Sequence, residues 1–304
     1  MNLLSYLTGV WCITEDALAR IESMQVDVRG VELAADAGTP RVSRRKNVAV
    51  IPLHGVLEPR QTLMGMVMGG TSTTAFGNAF DAAVADPQVG GILVDIDSPG
   101  GSAFGVAEVA AKIRAARGVK PMVAVSNHVA GSGAYWIGSQ FDRLYASPSS
   151  ATGSVGAFVV HADRTKQMAD AGVKLEVIRA DASPQKVNTI AYEPLTDEAR
   201  NDVKTRLNAV LDQFIGDVAA GRGVSVDVVR ETYGKGRVLD ARQAASVGMV
   251  DRVATIEEVA GRMLDGRIRM VRHGGSVQCA ENWDGGIAAE TVRLRADMIR
   301  AEAN

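Results

Sequence analysis

Apolar residues in this chain gather into short unbroken runs, separated by segments with helical spacing. The runs at residues 48–53 (Val-Ala-Val-Ile-Pro-Leu), 91–97 (Gly-Ile-Leu-Val-Asp-Ile-Asp) and 122–126 (Met-Val-Ala-Val-Ser), with a shorter one at 143–146, have the length and composition of buried strands. Between them, Phe76, Phe80 and Val84 recur every four residues in a segment spanning 73–85. Val106, Val109, Ala110 and Ile113 give one apolar face to a helix expected over about 104–116. Strands alternating with helices at this spacing predict βαβ units and a mostly parallel α/β sheet. Further strands are expected at 152–158 and 174–179, with a helix near 164–171.

Beyond Lys186 the pattern turns helical. Leu195-Thr196-Asp197-Glu198 caps a long helix to about Arg222, with Val203, Leu207, Val210, Leu211, Phe214, Ile215 and Val218 on one stripe. That stripe exceeds what a small core needs, so part of it is expected to meet another subunit. Shorter helices follow at 225–233 and 241–247, the second closed by Gly248 as its C′ residue.

The organisation read from these patterns is an N-terminal arm and linker (1–45), one α/β domain (46–265), and a linker with a short charged helix near 291–302 (266–304). In the arm, Thr14 is the expected N-cap of a helix. The Met- and Gly-rich stretch 63–70 suits a groove lining or a contact with a neighbouring subunit.

Composition narrows the function classes. The 304 residues carry a formal charge of −2, with 46% hydrophobic and 22% charged residues, which offers no basic field for nucleic acid. The two cysteines, Cys12 and Cys279, lie far apart, and the four histidines form no metal-like pair, so neither a disulfide framework nor a metal or other cofactor is expected. The apolar start has no basic residue ahead of it, and no run approaches the roughly 20 residues that span a bilayer. A cytoplasmic protein without a membrane anchor is the expectation.

The chemistry centres on Val129-Ala-Gly-Ser-Gly-Ala-Tyr-Trp-Ile137, a strand-to-helix junction with Ser132 between two glycines. Such a serine is sterically open, and the following Gly133 N–H faces the place where an oxyanion would develop. The ordinary reading of Gly-Ser-Gly is a turn or helix cap. A second glycine loop, Ser98-Pro-Gly-Gly101, also follows a strand, and carboxyl-end loops of parallel strands are where sites form. A serine nucleophile needs a base. His128, four residues earlier in the same turn, is poorly placed, and His161 lacks an obvious carboxylate to orient it. Among lysines Lys186 stands out, directly after the expected strand and away from other charge runs. A loop lysine is more often simply solvated.

These residues resemble the signal peptide peptidase A family of Ser-Lys dyad serine peptidases. The resemblance rests on Asp97-Ser-Pro-Gly-Gly101, Gly131-Ser-Gly-Ala-Tyr-Trp-Ile137, Thr152-Gly-Ser-Val-Gly156, Lys186, and Gly236-Arg-Val through Val247-Gly-Met-Val-Asp251, in that order. It runs from about residue 47 to 264. It implies a Clp protease/crotonase-like superfold built from repeated ββα units, with a helical C-terminal part and no cofactor. It further implies Ser132 as nucleophile, Lys186 as general base, Ser154 orienting the lysine amine, and Gly101 and Gly133 N–H forming the oxyanion hole. Gly131-Ser-Gly-Ala134 stands where the family usually has Ala-Ser-Gly-Gly. Ser183-Pro-Gln185 replaces the glycine usual before the lysine, which leaves Lys174 as the fallback base.

Within the family the chain looks most like the phage head-maturation (capsid assembly) proteases, through its N-terminal Trp11-Cys-Ile-Thr-Glu-Asp and its Leu195-Thr-Asp-Glu-Ala-Arg200 segment. This implies a homo-oligomer acting on polypeptide substrates such as scaffold or capsid protein, in the host cytoplasm or the prohead. The alternatives are a soluble bacterial signal-peptide or quality-control peptidase, an acyl-CoA enzyme of the crotonase kind, and a non-catalytic capsid scaffold protein.

Overall fold

The computed structural model describes residues 9–23, 36, 38–67, 69–273 and 276–282. The chain opens with β1 (Trp11–Ile13) and α1 (Glu15–Ser23), then β2 (Ser43–Arg45) and β3 (Val48–His54). A first ββα unit continues from β3 through β4 (Leu57–Glu58), α2 (Leu63–Val67) and β5 (Thr71–Ser72) to α3 (Thr73–Ala85). The second consists of β6 (Gly91–Ser98), β7 (Gly100–Ser102) and α4 (Val106–Ala115). Next, β8 (Met122–Gly131) runs into α5 (Gly133–Gly138), followed by β9 (Arg143–Ala146), β10 (Ala151–Gly153) and α6 (Thr165–Asp170). The helical part contains α7 (Asp197–Arg222), α8 (Val226–Thr232), β11 (Val238–Asp240) and α9 (Ala241–Ser246). β12 (Arg252–Val253), α10 (Ile256–Leu264) and the hairpin β13 (Ile268–His273)–β14 (Ser276–Glu281) complete it.

The main sheet has the order β11-β10-β8-β6-β3-β2, with β9 beside β8 and β12 beside β9. Its interior pairs are all parallel, and only the edge strands β2 and β11 run antiparallel. A smaller sheet, β1-β7-β4-β5, is built from the second strand of each ββα unit (β4 and β7), the short β5 of the first unit and the N-terminal β1. The unbroken apolar runs follow from burial on both faces of the main sheet. Ile51, Leu53, Ile92, Val94, Ile96 and Ala124 face α3, α4 and α5. Leu93, Val123, Val125 and Tyr145 face α10 and the hairpin.

Helix limits have local causes. Ser72 Oγ accepts the Ala75 amide at the start of α3, and Thr196 Oγ1 accepts the Ala199 amide at the start of α7. Gly223, at φ 67°, closes α7, and a reciprocal Thr255–Glu258 capping box opens α10.

Three stretches differ from the sequence expectations. Residues 174–179 form no strand: Leu175 and Ile178 are exposed, Ile178 by 90%, and among the described residues no strand pairs with them. β10 ends at Gly153 because Ser154 turns into the left-handed region at φ 55°. The start of the expected C-terminal linker is the β13–β14 hairpin, which buries Ile268 and Cys279 against α10 and the sheet. The expected helix near 291–302 lies outside the described residues.

The Val247-Gly-Met-Val-Asp251 motif has a structural role. The Arg222 guanidinium, almost fully buried, pairs with Asp251 Oδ2 at 2.8 Å and donates to the Gly248 carbonyl. Asp251 also accepts the Leu144 amide, and Tyr135 and Tyr233 donate to the Met249 and Gly248 carbonyls. This ties the end of α7 and the turn after α9 to β9 and α5. Burial works against the Asp251 carboxylate, but Arg222 first, then Arg143 and the Leu144 amide, hold its pKa below the ordinary carboxylate value. Its stabilising effect is therefore present above the unfolded carboxylate range and is lost as pH falls through the depressed folded-state value. Asp251→Ala leaves Arg222 buried without its counter-charge and is expected to cost about 3–5 kcal/mol in denaturant unfolding. A cost under about 1 kcal/mol, the scale of an exposed pair, contradicts this role.

Candidate active site

Strand β8 delivers Ser132 to the junction of the two sheets. Its first half pairs with β6 and β9, and its last residues, Val129–Gly131, pair with β10. Ser132 then takes φ 49° and ψ −114°, a conformation that costs a non-glycine residue about 1–3 kcal/mol and persists only where its surroundings enforce it. The Ser132 amide donates to the Gly153 carbonyl at 2.6 Å, and its own carbonyl accepts the Trp136 amide at 2.9 Å, which starts α5. Every residue of α5 is buried. Trp136 stacks on Phe214 of α7 with ring centroids 4.5 Å apart, and its indole N–H donates to Asp217 Oδ2. The strained turn is thus held from both its strand and its helix.

Glycines allow the backbones to converge here. A Cβ on Gly100, where φ is 94°, would lie 2.1 Å from the Cys12 carbonyl oxygen and 2.9 Å from the Gly133 nitrogen. A Cβ on Gly131 would lie 2.3 Å from Thr14 Cγ2, and one on Gly101 would lie 2.0 Å from the Leu57 carbonyl oxygen. Gly101 therefore belongs to a tightly packed β7, while the α5 start carrying Gly133 lies against Gly100. Ser154 is buried beside this junction, one residue after the Gly153 carbonyl that grips Ser132, and its amide donates to Arg237 O. Ser132 Oγ is oriented toward the Gly156 carbonyl at 3.4 Å and lies near the Cys12 thiol. Burial, offset only in part by the Ser132 hydroxyl, pushes the Cys12 thiol up to about 12, so it stays protonated.

Ser132, Ser154, Gly101 and Gly133 are thus brought together in one chain. Lys186 is not among the contacts of Ser132. It stands exposed on a turn, its amide donating to Ser183 O and its carbonyl accepting from Arg179, and its side chain has no hydrogen bond or ion pair among the described residues. Among the described residues five non-glycine positions have positive φ, and three of them are Ser132, Ser154 and Val187, the neighbour of Lys186. At φ 54° a β-branched valine is a true outlier. Neither His128, exposed and paired with Asp97 at 3.3 Å, nor His161 contacts Ser132. Lys174 is exposed. Among the described residues no group of three or more His, Cys, Asp or Glu is arranged to hold a metal, and no helix is long and apolar enough to cross a membrane.

The model of peptidase family S49 matches residues 114–267, half of the chain, including the Ser132 turn, Ser154 and Lys186. The chain belongs to peptidase family S49. This S49 chain is 31% identical to the head-tail preconnector protein GP5 of Enterobacteria phage P21, over 83% of its own length and 51% of the relative's. It is 27% identical to capsid assembly protease C of Escherichia phage lambda, over 84% of its own length and 58% of the relative's. A putative signal peptide peptidase SppA of Enterococcus faecium is 27% identical over 57% of the chain and 50% of that protein. The chain therefore spans between half and three-fifths of the length of these relatives. Among solved structures, an enoyl-CoA hydratase from Shewanella pealeana is 11% identical at TM-score 0.45, covering 76% of this chain and 74% of the other. A point mutant of ClpP1 from Listeria monocytogenes is 9% identical at TM-score 0.42, covering 69% of this chain and 92% of the other.

Sequence reasoning on the S49 chain missed Cys12 and Gly100. Cys12 is 120 positions from Ser132 and carries no local motif, so only the β1–β7 pairing reveals it. Gly100 was legible as half of a glycine pair, but not as the member touching Gly133. Gly100→Ala places a methyl group into two backbones and an unfavourable φ, and is expected to destabilise the fold by about 1–3 kcal/mol. Unchanged thermal unfolding of that variant contradicts the close approach described.

Proposed function

We propose that this chain is a serine endopeptidase in which Ser132 is the nucleophile and Lys186 of a neighbouring copy is the general base. One observation carries this reading: a buried, glycine-flanked serine is forced into a strained turn where four backbone segments converge, inside a chain of a peptidase family. In the reaction, Lys186 Nζ takes the Ser132 Oγ proton as the oxygen attacks the scissile carbonyl. The Gly101 and Gly133 N–H groups hold the oxyanion, and each such donor typically supplies about 10²–10³ in rate. The lysine returns the proton to the leaving amine, and water then releases the acyl group with the same base. Ser154, beside the Ser132 turn, orients the lysine amine.

The second copy follows from the placement of Lys186. A lysine serves as a base only once it is packed away from water, whereas Lys186 is exposed in the single chain. Around it Val173, Leu175, Ile178, Val187 and Tyr192 present apolar side chains to solvent, and the first half of α7 buries little of its stripe. An apolar arm of this kind suits packing against another subunit, so a homo-oligomer supplies the missing member of each dyad.

The substrate class is an extended polypeptide. The two phage relatives favour capsid or scaffold protein as the physiological substrate, in the host cytoplasm or the prohead. The similarity to the SppA relative keeps a soluble bacterial peptidase clearing signal peptides as the second reading.

Ser132→Ala and Lys186→Ala should each abolish peptide cleavage while leaving the circular dichroism spectrum and unfolding midpoint unchanged. Mixing the two inactive proteins under subunit exchange should restore activity to about a quarter of wild type, because a quarter of shared sites then hold both groups. No recovery on mixing, with exchange demonstrated, contradicts a shared dyad. Full activity in either single variant removes that residue from the reaction.

A further inference from the structure

A nucleophile that cuts other chains has to be reached by them, yet Ser132 is only 1% exposed. The cover is local and comes from this chain's own N-terminal strand. β1 pairs antiparallel with β7, setting Trp11 opposite Ser102, Cys12 opposite Gly101 and Ile13 opposite Gly100. On its other edge Trp11 exchanges both backbone hydrogen bonds with Phe158, at 3.0 and 3.1 Å. β1 therefore lies in a slot with a backbone ladder on each side, as an added strand does when a peptide is bound by strand addition.

The register places one carbonyl at the catalytic junction. The Ala103 amide donates to Val10 O and the Thr14 amide to Pro99 O, both at 3.0 Å. Antiparallel pairs alternate between those that exchange hydrogen bonds and those that do not. Cys12–Gly101 lies midway between the two bonded positions, which makes it the bonded pair, and the orientation of Trp11 toward Phe158 agrees. The Gly101 N–H thus points at the Cys12 carbonyl. The same oxygen would lie 3.4 Å from a Cβ on Gly133, and the Cys12 side chain lies near Ser132. Cys12 itself is fully buried, while Trp11 and Ile13 pack with Ile21 and Val56.

We propose that Val10–Thr14 occupies in cis the groove through which an extended polypeptide reaches Ser132, with the Cys12 carbonyl between Gly101 and Gly133, so that the chain is closed until this strand is withdrawn. The proposal rests on the reading of Ser132 as nucleophile. The occupying strand is not itself cut in the single chain because no base stands at Ser132 there: its Oγ faces the Gly156 carbonyl and the Cys12 thiol, and Lys186 is elsewhere. A substrate must displace β1, so its apparent affinity is reduced by the fraction of chains in which the groove is open.

The test compares the full chain with Trp11→Asp, which sets a charge in the apolar seat of β1, and with a chain beginning at Glu15. Two rates are read by peptide mass spectrometry: alkylation of Cys12 by iodoacetamide, and labelling of Ser132 by a fluorophosphonate probe. Trp11→Asp is expected to alkylate at Cys12 about tenfold faster or more than the full chain. Both variants should label at Ser132 faster by a similar factor. Cys279, the only other cysteine, is buried elsewhere in the fold and its alkylation should not change, which separates release of the strand from unfolding.

Equal Cys12 alkylation or equal Ser132 labelling across the proteins overturns the proposal and leaves Ser132 as nucleophile intact. Faster alkylation of Cys279 in step with Cys12 also overturns it, since the variant then acts by unfolding. A full chain that converts itself to a form beginning at Ile13, while Ser132→Ala does not, shows that β1 is a substrate and not a stopper. If Ser132 labels in none of the proteins, the nucleophile assignment fails and this proposal falls with it.

Discussion

The structure depends on one constraint: four stretches of backbone have to meet around Ser132 with no room for side chains between them. β8 brings the serine, β7 lies beside it, β10 grips its amide through the Gly153 carbonyl, and β1 covers it. Gly100, Gly101, Gly131 and Gly153 are positions where a Cβ would strike another segment. The strain at Ser132, about 1–3 kcal/mol, is sustained because the sheet fixes one side of the turn and the buried helix α5 fixes the other. The remaining architecture supports those two anchors. The two-sided core holds β8 in place, and the Trp136–Phe214 stack with the Arg222–Asp251 network holds α5 against α7 and the turn after α9.

Much of the fold was legible because its main sheet is buried on both faces. A strand covered on both sides has to be apolar at consecutive positions, and that is why residues 48–53, 91–97 and 122–126 were visible as runs. The helix at Thr73–Ala85 appeared with its limits, because Phe76 and Phe80 mark its inner face and Ser72 caps it. Residues 174–179 misled for the same physical reason in reverse. Their alternation of polar and apolar residues resembles a strand, but in the single chain no sheet edge meets them and Ile178 stands in solvent. Such a pattern reports that a surface is covered without saying by what, and an arm that packs on another subunit carries the same signature as one that packs on its own core.

The site divided along similar lines. Ser132, Gly101 and Gly133 were found because they sit in short glycine motifs at strand ends, Ser154 came only through the family resemblance, and the chain folds those ends to one place. Lys186 was found through family resemblance and a run of neighbouring residues, and the fold of a single chain leaves it apart from Ser132. Cys12 was invisible because strand pairing between segments distant in sequence leaves no trace in local composition. What joins these three cases is that a single chain builds the Ser132 turn and the strand beside it, while Lys186 stands apart.

In the proposed chemistry Ser132 is the nucleophile and Lys186 reaches it from another copy. The most direct measurement is a structure of the assembled protein after reaction with a peptidyl phosphonate. It should show phosphorus bonded to Ser132 Oγ, a phosphonyl oxygen held by the Gly101 and Gly133 N–H groups, and Lys186 Nζ of an adjacent subunit within hydrogen-bond distance of Ser132 Oγ. An adduct on any other residue, or an assembly in which no Lys186 approaches any Ser132, contradicts a Ser132–Lys186 dyad shared between copies.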